Sequence, residues 1–374
     1  MRILVDDILQ SNVQTLVNTV NCVGVMGKGI ALEFKNHFPD MFEDYLERCK
    51  RHEIRPGIPY LYRTLIPPQI INFPTKEHWK SVSRVSDIER GLDYLSEHYK
   101  AWDVTSLAIP PLGCGNGQLE WRVVGPLIYK HARQMDIPVQ LYAPYGTHPK
   151  ELTVEFLERG GARETARVSA SVSSSLEPAW LALVEIISRI EKQPYHWPIG
   201  RTIFQKIAYV ATQEGLPTGL RYQRGSFGPF TKELRRVETR LINDNLLQEE
   251  RLGRMFMVKV GPNYARIRKQ FESSISQWDA ILDKTVDLFS RVNTDQAEII
   301  ATVLFAANEL YMAKNEIPSE TAVLASVMQW KQKRRPPLKL DEVASSIRNL
   351  AVLRLLHVRH DAGLKVPDED LLSV

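Results

Sequence analysis

Residues Gly24-Val25-Met26-Gly27-Lys28-Gly29-Ile30-Ala31 form a glycine-rich turn directly after a β-like apolar segment, and Pro111-Leu112-Gly113-Cys114-Gly115-Asn116-Gly117 form a second one. Glycine has no Cβ, so successive backbone N–H groups in such turns can converge on phosphate oxygens. The apolar stretch after Gly29 predicts a helix whose positive N-terminus adds to this attraction. A single glycine-rich turn usually serves only to reverse the chain, but two such turns in one domain predict a pocket that surrounds a diphosphate.

The first part of the chain alternates apolar segments with helical patterns, which favours an α/β layer fold. Five segments have strand character: Ile3–Val5, Thr15–Val17, Gln69–Phe73, Ser106–Ile109 and Val139–Tyr142. The segments between them have helical periodicity. Ser86-Asp87-Ile88-Glu89 has the pattern of a capping box and predicts a helix that starts at Ser86.

Over roughly residues 1 to 155 these motifs resemble the macrodomain family. The resemblance implies a three-layer α/β/α fold with a mixed central sheet and ADP-ribose as the ligand. Asp7 then takes the position that receives the adenine amino group, although Asp6 replaces the family's usual glycine. Asn21 takes the position that faces the distal ribose, and Tyr145 one on the adenosine side. The implied ADP-ribose-binding residues are Asp7, Ile8, Asn21, Gly24, Val25, Met26, Gly27, Lys28, Gly29, Gly113, Cys114, Gly115, Asn116, Gly117 and Tyr145.

The stretch Asn72–Lys80 is similar to a macrodomain subgroup that cleaves ADP-ribose from its acceptor with a lysine. This implies Lys80 and Asn21 as catalytic residues, with the Lys80 amine attacking the anomeric carbon or stabilising the opened sugar. The amine must be neutral for part of the time, which desolvation or a nearby cation such as Lys76 favours. Lysine-dependent relatives can carry an aspartate just after the second glycine turn, but this chain has Asn116 there, so Lys80 must act without it.

Within the subgroup, the resemblance is to DNA ADP-ribosyl glycohydrolase antitoxins. It implies ADP-ribosylated DNA, modified on thymidine, as the substrate and a DarT-like toxin as the protein partner. Two other functions stay open. A non-catalytic ADP-ribose reader would share both glycine loops and Asp7 but not need Lys80, and a winged-helix DNA-binding regulator would use the macrodomain as a sensor.

The composition is that of a soluble cytoplasmic protein, with 374 residues, 44% hydrophobic and 25% charged. No apolar run is long enough to span a membrane, and acidic residues follow Met1 too soon for a secretory signal. Three scattered cysteines predict reduced thiols rather than disulfides or a zinc site. His78 has no second ligand at metal spacing, so we expect no metal and no cofactor.

A change in composition divides the chain into a macrodomain (1–158), a Ser-rich linker (159–178) and a C-terminal part (179–374). The last part is mostly helical by periodicity. Two helical patterns, a Phe227-Gly228-Pro229-Phe230 turn, a basic helix at 232–242 and two strand-like runs at 246–251 and 255–260 predict a winged-helix-like segment. Its resemblance to prokaryotic antitoxins implies that this part binds the toxin.

The formal net charge of +4 falls entirely after residue 174. This bias permits contact with nucleic acid but does not require it. The run Lys331-Gln332-Lys333-Arg334-Arg335 is interpreted as a solvated helix end whose cations complement the helix dipole. Trp79, beside Lys80, has two equal interpretations, stacking on a base or packing.

Overall fold

The computed structural model describes residues 1–160, 176–253 and 255–366. The chain divides into two compact units, unit 1 (Met1–Ser174) and unit 2 (Ser175–Val374). Most of the predicted linker, residues 161–175, lies outside the described residues. Its first two residues, Arg159 and Gly160, are helical instead.

Unit 1 is built on one six-stranded sheet. Its strands are β1 (Arg2–Leu4), β2 (Thr15–Asn21), β3 (Tyr60–Tyr62), β4 (Gln69–Lys76), β5 (Leu107–Ile109) and β6 (Val139–Tyr142). The order across the sheet is β1-β6-β5-β2-β4-β3, and only β3, at one edge, is antiparallel to its neighbour. The sheet is therefore mixed, as predicted. Strand β3 is not among the segments predicted from the sequence.

Helices cover both faces of this sheet. They are α1 (Gly29–His37), α2 (Pro39–Lys50), α3 (Val85–His98), α4 (Trp121–Ala132) and α5 (residues 154–160). Successive strand residues point to opposite faces. Leu16 accordingly packs in the apolar cluster that contains Phe34 of α1, whereas Val17 packs in the cluster that contains Ile88 of α3 and Val124 of α4. The three-layer α/β/α prediction is confirmed.

The N-cap of α3 lies two residues before Ser86, the residue at which the capping box predicts it. Arg84 is the N-cap, no side chain caps the helix, and Ser86 lies inside its first turn. The segment before it is held from outside, because the Ser83 N–H donates to the Gly117 carbonyl oxygen at 2.9 Å. This tertiary bond fixes the entry of the chain into α3, so the capping box is not used.

Unit 2 is mostly helical, as predicted. Its elements are α6 (Pro178–Glu191), α7 (Arg201–Gln213), β7 (Gln223–Gly225), β8 (Gly228–Phe230), α8 (Glu233–Asn243), β9 (Leu247–Leu252), β10 (Met255–Val260), α9 (Tyr264–Gln270), α10 (Glu272–Ser276), α11 (Asp279–Ser290), α12 (Thr294–Lys314), α13 (Glu320–Trp330) and α14 (Leu340–Val352). Helix α12 is buried on all sides from Ala297 to Ala307, so it forms the centre of the unit. No helix within the described residues is both long and apolar enough to cross a membrane.

The predicted hairpin is present, since β9 and β10 pair antiparallel. Gly200, just before α7, forms an antiparallel bridge with Met257 of β10. The order along the chain is α6, the Gly200 bridge, α7, the β7–β8 pair, α8 and the β9–β10 hairpin. The winged-helix assignment itself stays a prediction.

Two cations of the basic run after α13, Lys331 and Arg334, are not solvated as expected, whereas Lys333 and Arg335 are exposed. Lys331 is 4% exposed, and its ammonium donates to Glu298 Oε1 at 2.7 Å and to the Ser226 carbonyl oxygen at 2.8 Å. Arg334 also bonds Glu298, at 3.2 Å, and reaches Asp295 at 2.9 Å. Burial makes these cations internal partners of one carboxylate, which the one-dimensional pattern does not reveal.

Lys206 of α7 lies beside this cluster and is 2% exposed. Its ammonium donates to the Pro229 carbonyl oxygen at 2.9 Å. Burial, with a further contribution from the Lys331 ammonium, lowers the pKa of Lys206 to about 8, although Glu298 opposes this. The unfolded chain titrates this lysine near pH 10.4.

We therefore expect the stability of unit 2 to depend on pH through Lys206. From about pH 8 to 10.4 the unfolded chain holds a proton that the native state has lost, so native stability rises with pH. Relative to Lys206→Met, the wild-type free energy of unfolding should increase by about 2–3 kcal/mol between pH 7 and pH 10. Urea unfolding at both pH values measures this difference. Lys333→Met changes an exposed lysine and is the control, so its difference from wild type in the free energy of unfolding should be the same at both pH values. If the difference for Lys206→Met is also the same at both pH values, the prediction is wrong.

Candidate functional site

The segments that carry the predicted site residues lie at one edge of the unit 1 sheet. Because β1, β6, β5, β2 and β4 are parallel, their carboxyl ends share that edge. In the spatial order of the strands, the segments are Asp7–Ile8 after β1, Tyr145 after β6, residues 110–117 after β5, residues 22–28 after β2 and residues 77–83 after β4. Neighbouring strands lie about 4.8 Å apart, so this edge spans on the order of 19 Å.

Asn21, at the end of β2, is buried and braces the first glycine loop. Its Nδ2 donates to the Val25 carbonyl oxygen at 2.5 Å, and its Oδ1 accepts from the N–H groups of Val23 (3.0 Å) and Val25 (3.4 Å). The Tyr45 hydroxyl donates to the Asn21 carbonyl oxygen at 2.8 Å and to Oδ1 at 3.1 Å. The Asn21 amide thus sets the shape of the loop, while its contact with a ribose stays a prediction.

The first loop uses its glycines in two ways. Gly24 has a φ of +78° and Gly29 one of +58°, which glycine adopts without strain. A Cβ built on Gly27, in contrast, would meet only Val25 Cγ1 at 3.9 Å. Lys28 is the extended N-cap of α1, so the first-turn amides of that helix follow directly on the loop. Gly27 is therefore a place where the fold itself tolerates a side chain.

The second loop shows the same contrast. Gly113 has a φ of +73°, and its carbonyl oxygen accepts from the Leu119 N–H at 3.0 Å. A Cβ on Gly117 would overlap Ser83 Oγ and the Gly113 carbonyl oxygen, so packing requires glycine there. A Cβ on Gly115 would meet nothing within 4 Å. Gly115 therefore borders open space.

The two glycine loops and the end of β4 are joined to one another. Lys76, the last residue of β4, is 8% exposed, and its ammonium donates to the Asn116 carbonyl oxygen at 2.8 Å. Asn116 Nδ2 lies 3.4 Å from the position of a Cβ on Gly29. The Ser83 N–H donates to the Gly117 carbonyl oxygen at 2.9 Å. The second loop is therefore fixed from both sides.

Lys80 lies in a turn after β4 and is exposed. The turn begins at Glu77, whose carbonyl oxygen accepts from the Cys22 N–H of the first loop at 2.9 Å. The Lys80 N–H donates to His78 Nδ1 at 3.1 Å, and the Lys80 ammonium lies 4.9 Å from the centroid of the Trp79 ring. The backbone of Lys80 is thus anchored beside the first loop, and its ammonium makes a cation–π contact with the Trp79 ring.

Asp7 and Tyr145 occupy the other end of the edge. Asp7 caps a short 3-10 turn, with its Oδ1 accepting from the Leu9 N–H at 3.0 Å, and it is exposed. Asp6, which replaces the family's usual glycine, accepts a hydrogen bond from the Asp7 N–H at its Oδ1, at 2.8 Å. This bond stabilises the backbone at Asp7. Tyr145 is 77% exposed. Both side chains are open to solvent.

The apolar and thiol side chains of the loops do not offer reactive groups. Met26 and Ile8 are buried in the core, so they can offer only backbone groups to a ligand, whereas Val25 is largely exposed. Burial raises the pKa of Cys22 and of Cys114 to about 12, so both stay thiols at neutral pH and are poor nucleophiles. Within the described residues, no group of three or more His, Cys, Asp or Glu side chains could hold a metal ion.

Sequence reasoning missed two residues that support the site. Tyr45 shares an apolar helical stripe with Met41, which indicates core, and its ring is buried, yet its hydroxyl bonds Asn21. A buried tyrosine usually has a hydrogen-bond partner, so a tyrosine in an apolar stripe predicts a polar group next to its hydroxyl. Lys76 was expected only as a cation near Lys80, but its ammonium bonds the Asn116 carbonyl oxygen of the second loop.

Residues 17–128 match the family model of the Macro domain. Together with the three-layer fold and the two glycine loops at one sheet edge, this match establishes that unit 1 belongs to the macrodomain family.

Relatives with known names are similar to a larger part of the chain. The DNA ADP-ribosyl glycohydrolase of Mycobacterium tuberculosis is 35% identical over 237 residues, covering 62% of this chain and 64% of that protein. The same enzyme of Thermus aquaticus is 35% identical over 245 residues, covering 64% of each. A DNA ADP-ribosyl transferase-DNA ADP-ribosyl glycohydrolase fusion protein of Thermosipho africanus is 41% identical over 156 residues, covering 37% and 40%. The chain thus spans less than two thirds of these relatives.

The glycine geometry yields a test of the two-loop pocket. Gly27→Val and Gly115→Val should each abolish ADP-ribose binding, because the new side chain occupies the space that a diphosphate needs, and neither should lower the melting temperature much. Calorimetric titration and thermal unfolding measure the two effects. Gly117→Ala is the contrasting variant, since its Cβ overlaps the fold itself and should lower the melting temperature. Unchanged affinity in both valine variants would remove the two loops as the binding site.

Proposed function

We propose that this chain is an antitoxin of the DarG type. Unit 1 binds ADP-ribosylated DNA and hydrolyses the N-glycosidic bond between ADP-ribose and thymidine. Unit 2 binds and neutralises a DarT-like DNA ADP-ribosyltransferase toxin. Both tasks belong in the cytoplasm, where the DNA and the toxin are.

The match between strand order and ligand order carries the proposal for unit 1. ADP-ribose runs from adenine through a diphosphate to a distal ribose. Along the sheet edge, Asp7 and Tyr145 follow β1 and β6, the glycine loops follow the central strands β5 and β2, and Lys80 follows β4. The groups suited to adenosine, diphosphate and anomeric carbon therefore occur in the order of the ligand's own parts, which an unrelated set of loops would not produce.

Lys80 supplies the chemistry at the distal end. In its deprotonated form the Lys80 amine attacks the anomeric carbon of the distal ribose, the carbon–nitrogen bond to thymine breaks, and the thymine nitrogen keeps the electron pair and takes up a proton that the lysine nitrogen loses. The sugar ring then opens: the ring oxygen leaves the anomeric carbon and takes up the remaining proton of the lysine nitrogen, which leaves an imine between that carbon and Lys80. Water adds to the imine, which releases ADP-ribose and restores the amine. In the other route Lys80 only stabilises the opened sugar. Borohydride reduction distinguishes the two, because it traps a covalent imine on Lys80.

The DNA-binding regulator is the less favoured function, because two arginines of the predicted basic helix make ion pairs within unit 2. Arg235 of α8 bonds Glu238 at 2.8 Å and Glu249 at 3.1 Å. Arg240 of the same helix lies 3.9 Å from Asp244. Arginines committed to carboxylates of their own chain cannot neutralise DNA phosphates without breaking those pairs.

Two observations support toxin binding by unit 2. A transferase and a glycohydrolase are joined in one chain in the Thermosipho africanus relative, as its name states. The match to the Mycobacterium tuberculosis relative covers 62% of this chain, about 232 residues, which exceeds the 174 residues of unit 1 and so continues into unit 2. Sequestering the toxin removes the source of the lesion, whereas hydrolysis alone competes with continued modification.

Lys80→Ala should keep ADP-ribose binding but lower the single-turnover rate of ADP-ribose release from thymidine-modified DNA by roughly 100-fold or more, because the attacking amine is lost. Release is measured by separating free ADP-ribose from the oligonucleotide. Lys100→Ala removes another exposed lysine, one paired with Asp136, and should leave the rate unchanged. A near wild-type rate for Lys80→Ala would overturn the role of Lys80.

Toxin binding should survive the loss of hydrolysis. Full-length Lys80→Ala is expected to co-purify with its cognate DarT-like toxin and to restore part of the growth that the toxin suppresses, because unit 2 is unchanged. Growth curves with co-expressed toxin and a pull-down provide the measurement. If Lys80→Ala neither co-purifies with the toxin nor restores growth, unit 2 has no part in neutralisation. Tight binding of the protein to duplex DNA at physiological salt would then favour the DNA-binding regulator.

A further inference from the structure

Trp79 is a large aromatic residue that unit 1 does not bury. Its side chain is 46% exposed, although tryptophan burial contributes more apolar area than that of most residues. It directly precedes Lys80 in the chain. Of the two interpretations open from the sequence, packing alone does not account for a ring left half in solvent next to the proposed catalytic amine.

Contacts of the Trp79 ring and of its backbone segment restrict the position of the ring. The His78 ring stacks against it, with centroids 5.5 Å apart and an interplanar angle of 28°. The segment is anchored to the first loop through the Cys22 N–H and Glu77 carbonyl oxygen, and to the second loop through Ser83. An aromatic ring whose rotation is restricted before binding loses little entropy when a ligand stacks on it.

The Lys80 ammonium lies 4.9 Å from the centre of the same ring. In the proposed reaction this amine approaches the anomeric carbon, and the group attached to that carbon is the acceptor. The acceptor therefore lies within a few ångströms of the Trp79 ring. A nucleobase is flat and has a π-face, so it can stack there, whereas a carboxylate or hydroxyl acceptor of a protein cannot.

We propose that Trp79 is the stacking platform for the thymine that leaves, and that it makes the site specific for nucleobase acceptors over protein acceptors. This inference rests on the proposed function. The contact acts on the acceptor side of the scissile bond, so it strengthens binding of modified DNA and adds nothing to binding of the ADP-ribose part.

Steady-state kinetics on full-length protein test the platform. With a thymidine oligonucleotide that carries ADP-ribose, Trp79→Ala should raise KM by about tenfold or more, because one base stack is lost, and Trp79→Phe should recover most of it. Calorimetric affinity for ADP-ribose should stay within about twofold of wild type. Trp197→Ala, at a tryptophan of unit 2 that is 55% exposed, is the matched control and should change neither value.

Fluorescence gives a readout that needs no turnover. In a Lys80→Ala background, the modified oligonucleotide should quench tryptophan emission more strongly than ADP-ribose does, and the extra quench should vanish when Trp79→Phe is added. A KM for Trp79→Ala within twofold of wild type, or equal loss of ADP-ribose affinity, would overturn the platform. No release by the wild-type protein would instead overturn the glycohydrolase, and the quench would still decide whether Trp79 contacts the base.

Discussion

The parallel pairing of β2 with β4 is the constraint on which the candidate site depends. The register of this pair is regular up to Val20 and then shifts, so that Asn21 lies opposite Lys76. Irregularities of this kind re-aim side chains at the ends of strands. Here they leave two buried polar residues side by side, and each braces a different glycine loop, Asn21 the first and Lys76 the second. The pocket proposed for the diphosphate is therefore supported by one pair of strand ends.

This arrangement separates the scaffold of the site from its chemistry. Backbone bonds and buried polar side chains hold the loops, while Lys80, Trp79, Tyr145 and Asp7 are exposed or half-exposed. A ligand that fits such a site meets groups already in place, which limits the entropy lost on binding. The proposed catalysis and acceptor recognition reside in the few residues after β4, apart from the loops proposed to bind ADP-ribose.

Unit 2 shows a different use of charge. The buried carboxylate of Glu298 forms ion pairs with Lys331 and Arg334. Lys206 lies beside them and donates to the Pro229 carbonyl oxygen. Removing one partner from such a cluster leaves an uncompensated buried charge, which is strongly destabilising. These cations therefore stabilise a fold rather than create a basic surface, which is why a surplus of four positive charges in the chain does not indicate a nucleic-acid-binding face.

Sequence reasoning identified the two glycine loops and the layer fold, because glycine spacing and apolar alternation are local properties of the chain. The role expected of Lys80 came instead from the resemblance to the lysine-dependent macrodomains. Expectations that depended on distant neighbours were less successful. The capping box at Ser86 gave way to a bond between Ser83 and the second loop, and two of the expected surface cations, Lys331 and Arg334, are internal partners of Glu298.

The sequence by itself thus determined which segments have the glycine spacing to bind a diphosphate, and it predicted Lys80 as the lysine near the acceptor. Tertiary structure decided how those segments are held, through contacts such as Tyr45 with Asn21 and Lys76 with Asn116. It also decided which glycines serve the fold, as Gly117 does, and which border open space, as Gly115 does. The physical reason is that burial, ion pairing and steric room arise from residues far apart in the chain, and spacing along the sequence carries no measure of them.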